Sequence, residues 1–233
     1  MFAPRRLLVA GAAALIVVAV AVAAGGLFLR SHRAPPALAL TSPEPSGSAA
    51  GLSGRWTVTD GSQVGYRAKE KFINQPSETE AVARTSGVTG SFVVNVVGRT
   101  VTVTRMTFTV ELASLTSQDK YANYQVYQRD FFVRSIYLQT DSFPTATFTA
   151  DSASFPLSSS GPVAADVPGR LTVHGITKQV TAHVQATASG AQAEAAGSIS
   201  IDMRDFAIEP PDISFTKAEP ELTIEFDLKL MHA

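Results

Sequence analysis

Phe143-Pro144-Thr145-Ala146-Thr147-Phe148 opens the stretch that decides the fold of this 233-residue chain. It continues through a Ser/Gly-rich turn to Gly169-Arg170-Leu171-Thr172-Val173-His174-Gly175-Ile176-Thr177-Lys178. Thr and β-branched residues fill the segments, and Gly or Pro separates them, so the order reads strand, loop, strand, tight His-Gly turn, strand.

The same period of two runs through the rest of the chain from Gly54. Met106, Phe108, Val110 and Leu112 alternate with Thr107, Thr109 and Glu111. Val180, Ala182, Val184 and Ala186 alternate with Thr181, His183, Gln185 and Thr187, and Ile199, Ile201 and Met203 with Ser198, Ser200 and Asp202. Last, Leu222, Ile224, Phe226, Leu228 and Leu230 alternate with Thr223, Glu225, Asp227 and Lys229. Such alternation puts one face of each strand on an apolar interior and the other in water. It argues against a parallel α/β sheet, whose strands are apolar on both faces. Further strands are expected at about 55–69, 90–97, 100–103, 145–155 and 169–174. Many short antiparallel strands mean a sandwich or a barrel, and alternation alone does not separate the two.

One segment departs from this period. Ser117 is placed to cap a helix through Tyr121, Tyr124 and Val126 to about Arg129, and Asp130 to cap a further turn with Phe131 and Phe132. Its aromatics recur near helical spacing, so one face should lie on the β-domain, covering a mouth or plugging one end.

No catalytic signature is visible. The four histidines (His32, His174, His183, His232) are far apart, and the sequence holds no P-loop, dinucleotide fingerprint or nucleophile elbow. His174 reads as a turn residue and His183 as a solvated one. Glu219 and Glu221, around Pro220, should face water at the start of the last strand. In Arg129-Asp130 and Arg204-Asp205 neighbouring side chains would diverge in a strand. The bland reading has each Asp capping a turn and each Arg donating to backbone carbonyls. The functional one has Arg129 or Arg134 holding a polar or anionic head group.

A net charge of -1 offers no basic face for nucleic acid. Without cysteine there is neither a disulfide framework nor a thiolate metal site. The N-terminus is more informative. After a short segment (1–6), residues 7–29 carry no charge, and Arg30, His32 and Arg33 close the run. As a helix it would span roughly 34 Å, enough for a hydrocarbon core of about 30 Å. A transmembrane helix or signal anchor is therefore expected at 7–29. Ala21-Val22-Ala23 and Ala37-Leu38-Ala39 are the candidate cleavage points for a secreted alternative. Residues 30–53, with Pro35, Pro36, Pro43 and Pro45, read as a semi-flexible linker reaching on the order of 25 Å.

Several fragments, in order, resemble the YceI-like family of lipocalin-like β-barrels that bind polyisoprenoid lipids. These are Trp56 with Asp60, Ser62, Val64 and Tyr66; Gly90-Ser91-Phe92; and Ser114-Leu115-Thr116-Ser117. Arg129-Asp130, Phe143 through Phe148, Leu171 through Lys178, and Arg204-Asp205-Phe206 follow. Phe132 stands where the family often has His, and Ala207 where it commonly has Gly. The resemblance implies that residues 54–233 form an antiparallel lipocalin-like barrel with one aromatic-rich helical segment. It also implies an extracytoplasmic domain, tethered through the N-terminal helix to a cell membrane. The partner it implies is a polyisoprenoid or other long-chain lipid; the residues themselves call for no cofactor and no catalysis. The candidate tunnel residues are Phe108, Val110, Tyr124, Phe131, Phe132 and Phe148, with Leu171, Val173, Ile199, Ile201, Ile224 and Phe226. The rival readings are an envelope display or interaction domain, whose interior should be filled, and a hydrolase, whose titratable groups should converge in one pocket.

Overall fold

The computed structural model describes residues 34–41, 51–72, 78–120, 126–158, 161–213 and 216–233. Twelve strands are present among them. In chain order these are β1 Gly54–Val58, β2 Gln63–Phe72, β3 Thr79–Thr85, β4 Val88–Val97, β5 Thr100–Glu111 and β6 Thr116–Ser117. Then follow β7 Thr145–Pro156, β8 Val163–Val173, β9 Ile176–Ser189, β10 Gln192–Asp202, β11 Asp212–Ile213 and β12 Thr216–His232. One short helix, α1 (Val126–Phe132), continues into a single π-type turn over Val133–Tyr137.

Every pairing is antiparallel, and the order β1-β4-β5-β7-β8-β9-β10-β12 closes on itself because β12 also pairs with β1. The closing register sets Trp56 opposite His232 and Val58 opposite Leu230. Among the described residues this ring is an eight-stranded barrel. It settles the sandwich-or-barrel alternative, since a sandwich has no such closing pair. β2, β3 and β6 prolong β1, β4 and β5 at one end, where β12 passes from β1 to β2 and β3 pairs with both β2 and β6.

Local chemistry explains the corners. β8 and β9 are joined by His174 and Gly175 alone, with φ of 51° and 73°. Two left-handed residues in succession match the twist of a two-residue hairpin. The His174 ring packs edge-on against Phe143, with centroids 4.5 Å apart, and its Nδ1 donates to the Phe206 carbonyl at 3.2 Å. Three of the family-like fragments therefore meet at one end of the barrel as structural members. Ala207 ends the 3₁₀ turn Met203–Phe206 at φ 54°, a conformation that an L side chain tolerates poorly. Glycine would adopt it without that penalty. Ala207→Gly should raise stability by about 0.5–1 kcal/mol, the relief of strain less the added chain entropy. An unchanged or lowered thermal midpoint would refute it.

Several expectations need correction. Thr79–Thr85 is a strand, although its Ala, Glu and Arg content gives little β signal. β8 begins at Val163, earlier than expected. Ser117 does not cap a helix: it belongs to β6, and its N–H and hydroxyl both donate to Asp130. Asp130 starts no separate turn either, since α1 runs through it unbroken. At the other charged pair, Asp202 rather than Asp205 caps the turn, accepting from the Arg204 N–H at 2.9 Å, and Arg204 donates to that same carboxylate. β12 begins at Thr216, and Glu219-Pro220-Glu221 sits where its register slips, at a bulge made necessary by a proline without an N–H. The expected span at 7–29 and Tyr121 and Tyr124 lie outside the described residues. Among the described residues no helix is long and apolar enough to cross a membrane.

The outer wall differs most from expectation. Glu225 and Asp227 are in the solvent phase of β12, yet both are buried. Glu225 pairs with Arg67 and Arg84 at 2.8 Å each, and residues 34–41 lie across the cluster. Arg67 and Arg84 donate to the carbonyls of Pro35 and Pro36. The Leu38 N–H donates to Glu225 at 3.1 Å and the Thr41 N–H to Glu194 at 2.6 Å. The first part of the expected linker is thus a strap fastened to the barrel. Polar backbone contacts hold it, which is why its lack of apolar bulk did not reveal it.

Candidate functional site

The inward phase of the strands does not close into a solid core. A cavity of about 810 Å³ runs inside the barrel, near the upper end for small-molecule sites. Its walls are apolar because the alternation that folds the strands also points their Val, Ile, Leu and Phe side chains inward. It stays open because many inward positions are small, among them Ala153, Ala165, Ala182, Ala186, Ala193 and Ala195. A display domain would have a filled interior; this barrel does not.

Phe108, Val110, Phe148, Leu171 and Val173 all line the cavity, as do Ile199, Ile201, Ile224 and Phe226. Phe132 lines it from α1, at the rim, with Val133 and Ile136 from the following turn. Phe131 does not: its side chain is 58% exposed, because adjacent residues on a helix cannot share a face. Arg134 also stays outside, donating to the carbonyls of Ala113 and Leu115 at 3.2 and 3.3 Å. Tyr124 lies outside the described residues.

Arg129 does reach the cavity, but it is not alone there. Tyr66, Glu70 and Thr216 join it at the α1 end. Its guanidinium pairs with Asp119, with Glu70 at 3.3 Å and with the Ser117 hydroxyl at 2.8 Å. Burial weakens the cation, but Asp119, Tyr66 and Glu70 outweigh that, so its pKa rises further. Glu70 is pushed up to about 7 by burial, only partly opposed by Arg129 and reinforced by the Asp119 charge. Burial likewise raises the Tyr66 phenol. Among the described residues the buried Thr216 hydroxyl has no hydrogen-bond partner. The titratable groups converge here, yet Asp119 and Asp130 are tied to Arg129 and Ser117, so the arrangement braces α1 against β2, β3 and β6. Among the described residues no His, Cys, Asp and Glu group is placed to hold a metal.

Sequence reasoning passed over Tyr66, Glu70 and Thr216. A signal was present: Val64, Tyr66, Ala68 and Glu70 share one phase of β2, so an inward Glu follows from the alternation. Arg99, at the far end of the cavity, carried none.

A family profile described as a YceI-like domain matches residues 56–230. No curated protein matched the sequence. Among solved structures, the barrel is similar to a polyisoprenoid binding domain from Saccharophagus degradans implicated in plant cell wall breakdown. That likeness has TM-score 0.55 and 13% identity, over 78% of this chain and 99% of that one. BcnA of Burkholderia cenocepacia is also similar, with TM-score 0.49 and 20% identity over 72% of this chain and 95% of that one. With three quarters of its length matched by the profile, the chain belongs to the YceI-like family.

Proposed function

We propose that this protein holds the apolar tail of a polyisoprenoid or similar long-chain lipid inside its barrel, tethered to the extracytoplasmic face of a membrane by residues 7–29. The observation that carries the reading is the continuous apolar cavity of about 810 Å³ in a barrel of this family. The similar domain from Saccharophagus degradans, a polyisoprenoid binding domain, supports it. The energetics suffice without a polar motif. A five-carbon unit contributes on the order of 3–4 kcal/mol when buried, and a few units exceed an association cost of roughly 4–15 kcal/mol.

The polar end of the ligand sits at the α1 end, beside Tyr66, Glu70, Thr216 and Arg129. An anionic head is disfavoured there, because Arg129 already faces the carboxylates of Glu70 and Asp119. The head group is therefore uncharged, a hydroxyl or carbonyl able to meet Thr216. A chain beginning at Ala34, purified without detergent, should yield such a lipid to organic extraction and mass spectrometry at near one equivalent. Emptied protein should take up a long-chain prenol at least tenfold more tightly than the matching prenyl phosphate. Preference for the phosphate would move the head to Arg99; failure to bind either would overturn lipid binding itself.

A further inference from the structure

The end of α1 and the turn that follows it leave apolar side chains in water at the cavity rim. Phe131, Phe132 and Ile136 are 58%, 46% and 53% exposed. The two phenyl rings touch edge to face at 5.7 Å, and Phe132 and Ile136 also line the cavity. A clustered apolar rim around an opening marks a contact surface.

The chain's own path says what that surface meets. Arg30 closes the charge-free run, and the four residues from there to Ala34 reach at most about 14 Å. Pro35 is fastened to Arg67. Arg67 stands three residues from Glu70 on β2, about 10 Å along the strand, and Glu70 pairs with Arg129 of α1. The strap then runs away from α1, to Glu194 and Lys229. A chain leaving the bilayer at Arg30 is therefore bound to the barrel on its α1 side, with too little slack to turn the opposite end toward the lipid.

We infer that the α1 end rests on the membrane, with Phe131, Phe132 and Ile136 set among the lipid headgroups. The cavity then opens onto the bilayer rather than into water. The inference rests on the tether reading for its direction, and the test separates the two. Because the chain has no cysteine, single substitutions give unique spin-label sites. Full-length Phe131→Cys, Ile136→Cys, Val97→Cys and Ala14→Cys, each labelled with a nitroxide, would be reconstituted in phosphatidylethanolamine–phosphatidylglycerol vesicles. Accessibility to oxygen and to a water-soluble nickel chelate would then be compared. Val97, 68% exposed in the β4–β5 hairpin away from α1, is the water reference.

The expected result is that labels at 131 and 136 are reached by oxygen but shielded severalfold from nickel relative to 97. Equal nickel access at the three positions overturns the docking. Shielding from both reagents at 131 and 136 overturns it in favour of a protein contact. A deep label at position 14 with wet labels at 131 and 136 leaves the tether standing and the docking refuted. A wet position 14 with lipid-buried 131 and 136 refutes the tether and supports the docking independently.

Discussion

Ala182→Trp should empty the barrel of its lipid while leaving the fold standing. Ala182 is buried on β9 at the waist of the barrel, in a cluster with Met106, Ala150, Val167 and Ile199, and it faces the cavity. In a solid core such an enlargement forces neighbours apart and costs about 1–3 kcal/mol. Here the ring has a void to enter, so the penalty falls on the ligand. Displacing a single isoprenoid unit forfeits on the order of 3–4 kcal/mol, which is two to three orders of magnitude in affinity. The extracted lipid should drop below about a tenth of an equivalent. The neighbouring Thr181 points outward and is exposed, so Thr181→Trp should keep the wild-type load. A folded Ala182→Trp protein carrying as much lipid as its parent would show that the tail does not pass the waist.

The face assignments behind that experiment were legible in the sequence. Period-two alternation in 106–112, 180–186, 199–203 and 222–230 names inward residues directly, and all of those inward residues except Val180 line the cavity. Closure was not legible, because the pairing of Trp56 with His232 joins the two ends of the domain and alternation names a face without naming a partner. Whether the interior is filled or hollow depends on summed side-chain volume. The alanines in the inward phase of β9 and β10 were the available clue.

The charged features were harder to read. Glu225 has the sequence signature of a solvated strand residue, and only the strap and two arginines from β2 and β3 make it a buried anchor. Arg129 was recognisable as significant, but its partners come from β2, β6 and the segment after β6. From sequence alone the same arginine reads equally as a head-group ligand or as a brace.

Arg129→Ala discriminates between those roles through its pH dependence. The side chains of Arg129, Glu70 and Asp119 are 11%, 8% and 0% exposed. Removing one partner of a buried pair costs about 3–5 kcal/mol, because the charges left behind have no compensation. At about 2–4 °C per kcal/mol for a domain of this size, the thermal midpoint should fall by roughly 10 °C near neutral pH. Glu70 sets the sign of the pH effect. Its carboxyl titrates at about 7 in the folded protein against 4.5 in the unfolded chain. The folded state therefore binds the extra proton, and that contribution is fully present below pH 4.5 and lost as pH rises through about 7. It amounts to about 3 kcal/mol across that window. Without Arg129 the Glu70 carboxyl rises further, so the variant's deficit should be smaller at pH 5, where only the Asp119 pair is lost, than at pH 9. Glu70→Gln should raise the wild-type midpoint at pH 9, leave it little changed at pH 5, and recover part of the Arg129→Ala loss when the two are combined. If Arg129 serves only a ligand head group, lipid-free Arg129→Ala protein would melt with its parent at both pH values, and the brace would be refuted.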